Sequence, residues 1–182
     1  MPASDEIQQM KAKDLFEVAP LLTGRTQIDA GLGYNADDFE VDANNIVNLK
    51  NKTSYWCCTG LNFQGGENEG HADVDYYVDG TGKAALNGPV ATIAMVNLPH
   101  GAIITGCIVY GSESDETWTL SRADISAGTS TDLATANVNS ENTTITNATV
   151  DNENYGYSLY TSPMSIADEI YGARITYTTD YD

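Results

Sequence analysis

The sequence predicts an all-β fold: an antiparallel β-sandwich over residues 46–182, preceded by an arm, residues 1–45, that is irregular, extended and carries at most a short helix. Three observations predict it. Beyond residue 45 short apolar or alternating runs recur at intervals of about ten residues, the spacing of a sandwich or barrel. Between them stand turn segments rich in Gly, Asn and Asp, among them "FQGGENEG", "DGTGKAALNGP", "SAGTSTD" and "DNEN", which supply positive φ or side-chain-capped turns. No segment there keeps the apolar period of an amphipathic helix.

The arm opens with "MPASDEIQQMKAKDLF", in which Ile7, Met10 and Leu15 fall loosely at helical spacing behind a candidate N-cap at Ser4, with acids in the first turn. Pro20 closes that segment. The chain that follows, to Asn45, has scattered apolar residues and reads as extended chain suited to wrapping a neighbour.

Strands are expected at residues 46–49, 55–59, 74–78, 90–97, 102–110, 117–122, 144–150, 155–160 and 170–178. The run 102–110 is apolar on both faces and so reads as central, with Ala102 and Gly106 small enough to admit a second layer. Through the turn "GSESDE" it is expected to form a hairpin with 117–122, where Trp118 and Leu120 face one way and Thr117, Thr119 and Ser121 the other. A second hairpin through "DNEN" would set 144–150 against Tyr155, Tyr157 and Leu159, pairing aromatic with β-branched side chains. In the last strand Tyr171, Ala173, Ile175 and Tyr177 are expected inward, Arg174 and Thr176 outward.

Twenty-six acidic against 8 basic residues give a net charge of −18. Such a surface repels phosphate backbones and anionic lipid, and the eight cations, Lys11, Lys13, Arg25, Lys50, Lys52, Lys83, Arg122 and Arg174, are scattered along the chain. Nucleic acid and membrane are therefore not expected partners. No run approaches the ~20 apolar residues of a membrane span, and the first residues lack the pattern of a secretory signal, so synthesis in the cytoplasm is expected. Cys57, Cys58 and Cys107 have no metal-ligand spacing and read as buried free thiols. Eleven tyrosines against three phenylalanines suit thin sandwich margins and interfaces between copies.

Four features stand out as candidate sites. His100 lies in the turn Pro99-His100-Gly101 beside the most apolar run of the chain, and no nucleophile signature accompanies it; it reads as turn chemistry. His71, Asp73, Asp75 and Asp79 gather hard-cation ligands, but Tyr77 and Val78 stand where a calcium loop needs an oxygen ligand and a glycine. Asp37, Asp38, Glu40 and Asp42 form an acidic cluster in which nothing distinguishes an acid from a base. Trp56 and Trp118 could line a sugar platform, yet both sit in apolar runs where core packing is the ordinary use. The sequence therefore predicts no enzyme, no catalytic residue, no metal and no cofactor.

With "VNLPHGAIITGCIVYG", "ETWTLSRADI", "VDNENYGYSLYTSP" and "DEIYGARITYT", residues 91–178 resemble β-sandwich domains among virion proteins of tailed viruses, of the capsid-decoration, fibre and spike type. The last stretch keeps that family's order in Ile170, Gly172, Ile175 and Tyr177. The resemblance implies a jelly-roll-like sandwich acting by assembly, a virion location, a partner that is the major capsid or another virion protein, and homo-oligomers in threes. Leu15, Phe16, Tyr34, Phe39, Tyr155 and Tyr157 are the interface residues expected on this reading. The alternative is a carbohydrate-binding sandwich that recognises a host-surface glycan.

Overall fold

The computed structural model describes residues 39–41, 47–49, 51–65, 74–76, 80–86 and 89–179. The chain divides into two units, residues 1–51 with 181–182 in one and Lys52–Asp180 in the other. In the first, β1 (Phe39–Val41) and β2 (Val47–Leu49) form an antiparallel hairpin that sets Phe39 opposite Leu49 and Val41 opposite Val47. The run expected to open the sandwich at 46–49 is thus spent in this hairpin, and the sandwich unit starts at Lys52.

The second unit is an antiparallel, jelly-roll-like sandwich with ten strands among the described residues. They are β3 (Lys52–Thr59), β4 (Gln64–Gly65), β5 (Val74–Tyr76), β6 (Ala84–Leu86), β7 (Thr92–Val96), β8 (Ile103–Gly111), β9 (Thr117–Asp124), β10 (Ser130–Asn137), β11 (Tyr155–Thr161) and β12 (Glu169–Thr179). A front sheet runs in the order β10-β9-β11-β7-β4. In the back sheet β12 is central: β8 lies along one edge, β3 and then β6 along the other, and β5 pairs with β6. A single 3-10 turn, Gly60–Asn62, is the helical element among the described residues.

Alternation builds the core. Along β7 Thr92, Ala94 and Val96 are buried while Ile93 and Met95 are exposed, and along β11 Tyr157, Leu159 and Thr161 are buried in step. Trp118, Leu120, Leu133, Leu159, Ile170 and Ile175 are fully or almost fully sealed between the sheets. The buried threonines of β7 and β11 are paired: the Thr161 hydroxyl accepts the Thr92 amide at 3.1 Å and shares a 3.1 Å bond with the Thr92 hydroxyl, which removes the cost of an unpaired group. Trp118, as expected, is core, and its indole N–H donates to the Ser140 carbonyl at 3.1 Å.

Neither expected hairpin forms. β8 belongs to the back sheet and β9 to the front, so "GSESDE" is a crossover between layers. Likewise residues 144–150 are not a strand beside β11, because both edges of β11 are taken, by β7 and β9. The segment 139–150 instead straps one margin of the sandwich. It bonds to β8 through the Cys107–Asn142 pair of backbone bonds and the Ala148 carbonyl, and to β10 through Thr146 N–H to Leu133 O at 2.9 Å. The Asn142 amide adds a bond to Thr135 O at 2.9 Å. Gly106 fits the strap as a small residue should, since a Cβ there would press on the Glu141 carboxylate.

Two orientations also differ from expectation. Tyr171 is exposed and Ile170 buried, because the β12–β8 register slips between Ile170 and Gly172 and a bulge swaps the face of each residue on one side of it. Gly172 is required there: any Cβ would run into the carbonyl of Cys58 on β3. Beyond the slip, Ala173 and Ile175 face inward as expected. Cys57 is exposed, whereas Cys58 is half-buried and Cys107 buried, since adjacent residues of a strand face opposite sides.

Candidate functional site

The outer face of the front sheet carries an exposed apolar pair at one end and exposed polar residues at the other. Register places Gln64, Ile93, Tyr160, Thr119 and Thr135 in one cross-strand row. Met95, Ser158, Ser121 and Asp132 make the next. The β7 end of this face is apolar, with Ile93 40% and Met95 66% exposed. The β10 end is polar: Thr119 and Ser121 are buried, bonded to Thr135 at 2.9 Å and Ser158 at 3.4 Å, while Thr135 and Asp132 are exposed. Tyr160 stands between the two and donates its hydroxyl to Asp132 Oδ1 at 3.1 Å. Burial, with the Asp132 carboxylate beside it, pushes the Tyr160 hydroxyl above its ordinary range.

His100 is where turn chemistry puts it. It is exposed at one end of the sandwich, in the turn closed by Ala102 N–H to Pro99 O, with Gly101 at φ 80°. Its Nδ1 accepts the Asn152 amide at 3.1 Å, and the Asn152 side chain donates to Leu98 O at 2.8 Å. Two turns are thereby tied together. Hydrogen bonds from the Asn154 side chain and nearby backbone amides, with His100 adding a smaller effect, hold the Asp151 carboxyl below its usual range.

At the opposite end of β9, Glu116 has a carboxylate oxygen shut away from solvent. Desolvation, followed by hydrogen bonding to Asp115 and the neighbouring Asp168, raises the Glu116 carboxyl to about 7. On the outer face of the back sheet Arg174 pairs with Glu141 at 3.2 Å and lies 5.9 Å from the Tyr55 ring. The thiols of Cys58 and Cys107 are raised by burial, that of Cys58 to about 11, so both are protonated and unreactive near neutrality.

The expected interface residues scatter. Leu15, Phe16 and Tyr34 lie outside the described residues, and Phe39 opens β1 in the first unit. Tyr157 is 3% exposed and its hydroxyl accepts the Asp151 amide at 2.8 Å, so it packs within the chain and offers no surface. Tyr155 is half-buried against the core beneath Arg122, 4.2 Å from its ring centroid. Of the candidate metal residues, Asp75 is exposed on β5 and the other three lie outside the described residues; in the acidic cluster only Glu40 is described, opposite Asn48. Trp56 is half-buried against the core.

What sequence reading missed is Ile93, Met95 and Tyr160. The signal was present in the strict alternation of "TIAMV", which marks Ile93 and Met95 as the residues on the face away from Ala94.

No family model and no curated protein matches this chain. Among solved structures it is similar to the C-terminal CBM6 of LamC, a marine laminarinase from Zobellia galactanivorans, at 18% identity and a TM-score of 0.39, covering 68% of this chain and 99% of that one. It is similar to a family two carbohydrate esterase from Cellvibrio japonicus at 7% identity and a TM-score of 0.33, over 73% of this chain and 36% of that one. A chain of the cyanophage Pam1 capsid asymmetric unit matches at 18% identity and a TM-score of 0.31, over 81% and 99%. The antiparallel sandwich itself is established by the chain's own two sheets.

Proposed function

We propose that this chain is a structural subunit that acts by protein–protein assembly, has no catalytic role, and serves as a decorating or auxiliary protein of a virion. The observation that carries the assembly reading is the exposed pair Ile93 and Met95, side by side on one face of β7, the strand beside the short edge strand β4. Apolar groups held on a hydrogen-bonded sheet favour a complementary protein surface, because burying them on contact contributes about 25 cal/mol per Å² and a paired backbone loses little entropy in the process. The strongly acidic remainder of the surface keeps contacts confined to such places. The particle is named by the resemblance of residues 91–178 to virion sandwich domains, and the partner is then a capsid or other virion protein.

Replacing Ile93 and Met95 together by lysine tests the reading. The double variant should keep its thermal unfolding and lose incorporation into particles produced with the rest of the virion proteins. Undiminished incorporation would overturn the assignment of this face.

A second reading is supported by Tyr160. The half-buried Tyr160 ring beside the exposed Thr135 hydroxyl and Asp132 carboxylate offers stacking and hydrogen bonding together, which suits a glycan ligand at a host surface. A glycan array probed with wild type and Tyr160→Ala decides it: a glycan bound by wild type and lost in the variant supports this reading, and silence across the array removes it.

A further inference from the structure

The longest open edge of the sandwich is β3. Its eight residues pair with β12 in an unbroken register from Thr59 opposite Gly172 to Lys52 opposite Thr179. Among the described residues no strand lies along its other side, so alternate N–H and C=O groups face outward in a regular row. Proteins that stay single blunt such a row with bulges, prolines, inward charges or a covering segment. The other margins of this sandwich follow that rule. β10 has a bulge between Asp132 and Ala134 and is covered by the strap, while β4 and β5 have two and three residues. β3, "KTSYWCCT", has no bulge, proline or, among the described residues, covering segment, and Lys52 at its start is its one charge.

We infer that β3 is an interface at which a second copy of this chain adds its own β3 antiparallel, joining two back sheets into one continuous sheet. This rests on the assembly reading and deepens it by naming a surface and a partner. The choice of occupant follows from charge. Two chains of net charge −18 repel over most of their surfaces, and they meet at least cost where acids are absent. β3 carries no acid and one cation, Lys52, and the nearby Arg174 is already matched by Glu141. Two side chains at this margin also gain cover: Tyr55, 60% exposed on the outer face, and Trp56, half-buried on the inner one.

Symmetry then restricts the register. Antiparallel strands related by a two-fold axis perpendicular to the sheet keep outer faces together, and residues directly opposite point to the same side. Opposed residues must therefore both be odd-numbered or both even-numbered. Two registers retain the greatest overlap of the strand. One sets Tyr55 opposite Tyr55 of the second copy and Thr53 opposite Cys57; the other sets Tyr55 opposite Cys57 and Trp56 opposite Trp56. The pairing is two-fold, and so predicts dimers or assemblies of dimers where the resemblance implies threes.

Directly opposed residues sit about 4.5–5.5 Å apart between Cα atoms, within disulfide reach. Tyr55→Cys should therefore cross-link two chains under mild oxidation in either register, while wild type, whose Cys57 faces no cysteine in either, should not. Repeating the experiment in a Cys57→Ser background separates the registers: the link survives only if Tyr55 faces its own copy. Light scattering should show wild-type dimers strengthened by added salt, which screens the repulsion between the two chains. Thr53→Lys with Tyr55→Lys should weaken them by about tenfold or more in Kd with thermal unfolding unchanged. A wild type that is monomeric at every salt concentration, or dimers that neither cross-link through Tyr55→Cys nor respond to the lysines, would overturn the inference. Incorporation into particles, measured on the same lysine variant, keeps the two ideas apart, because the assembly reading survives if it persists while the β3 pairing fails.

Discussion

The two long margins of the sandwich are built on opposite plans. At the β8–β10 margin the segment 139–150 bonds to both sheets, and side chains fasten it: Asn139 at φ 66° donates to Gly111 O and Glu113 O and accepts the Gly111 amide, and Trp118 donates to Ser140 O. At the β3 margin the strand is regular and, among the described residues, nothing pairs with its outer edge. The contrast teaches that exposure here is selective. The chain commits a dozen residues to closing one margin, so an equally long open edge on the other side is a feature with a use, and mutations at the two margins should separate stability from association.

The largest effect is expected at the closed margin. Trp118→Ala removes a fully buried indole and the anchor of Ser140, and should cost about 3–5 kcal/mol, read as a lowered denaturant midpoint; a loss below about 1 kcal/mol would mean the strap holds without it. Asn139→Ala removes three hydrogen bonds and a residue tolerant of the left-handed region, for a loss of about 2 kcal/mol. Asn139→Gly, which keeps the backbone but not the bonds, should recover part of that, and equal losses would show that the backbone conformation is not the source.

Glu116 sharpens the same margin through pH, since its carbonyl accepts the Val138 amide where the strap begins. Its carboxyl is raised from 4.5 to about 7 in the folded chain. Below the lower value both states hold the proton; between the two only the folded state does, so this group's contribution falls as pH rises through the window and is lost above it. Glu116→Gln removes the titration, and its Tm advantage over wild type should be a few degrees greater at pH 8 than at pH 5. A pH-independent difference would place the proton elsewhere. The smallest effect on stability belongs to the open margin, where Thr53→Lys with Tyr55→Lys should change unfolding by less than about 0.5 kcal/mol.

Much of the fold was legible before any coordinates. Runs that alternate or stay apolar through a whole strand, such as "TIAMV" and "IITGCIVY", declared themselves, and the turn at His100 was readable from its proline and glycine. β10 was not, because "STDLATAN" is mostly polar and becomes a strand only by pairing with β9 and receiving the strap. The candidate surface was half legible. The alternation of β7 exposes Ile93 and Met95, but nothing local brings Tyr160 to Asp132, 28 residues away.

By itself the sequence determined the strand class, the inward and outward identity of residues within each regular run, and the anionic character that restricts partners, because all three depend on neighbours within a few positions or on totals. Only the tertiary structure decided which strands pair, where the register slips at Gly172, and which margin is closed. Pairing is a choice among edges of nearly equal local fitness, settled by contacts between residues far apart in the chain, such as the Cys58 carbonyl that leaves Gly172 no room for a side chain.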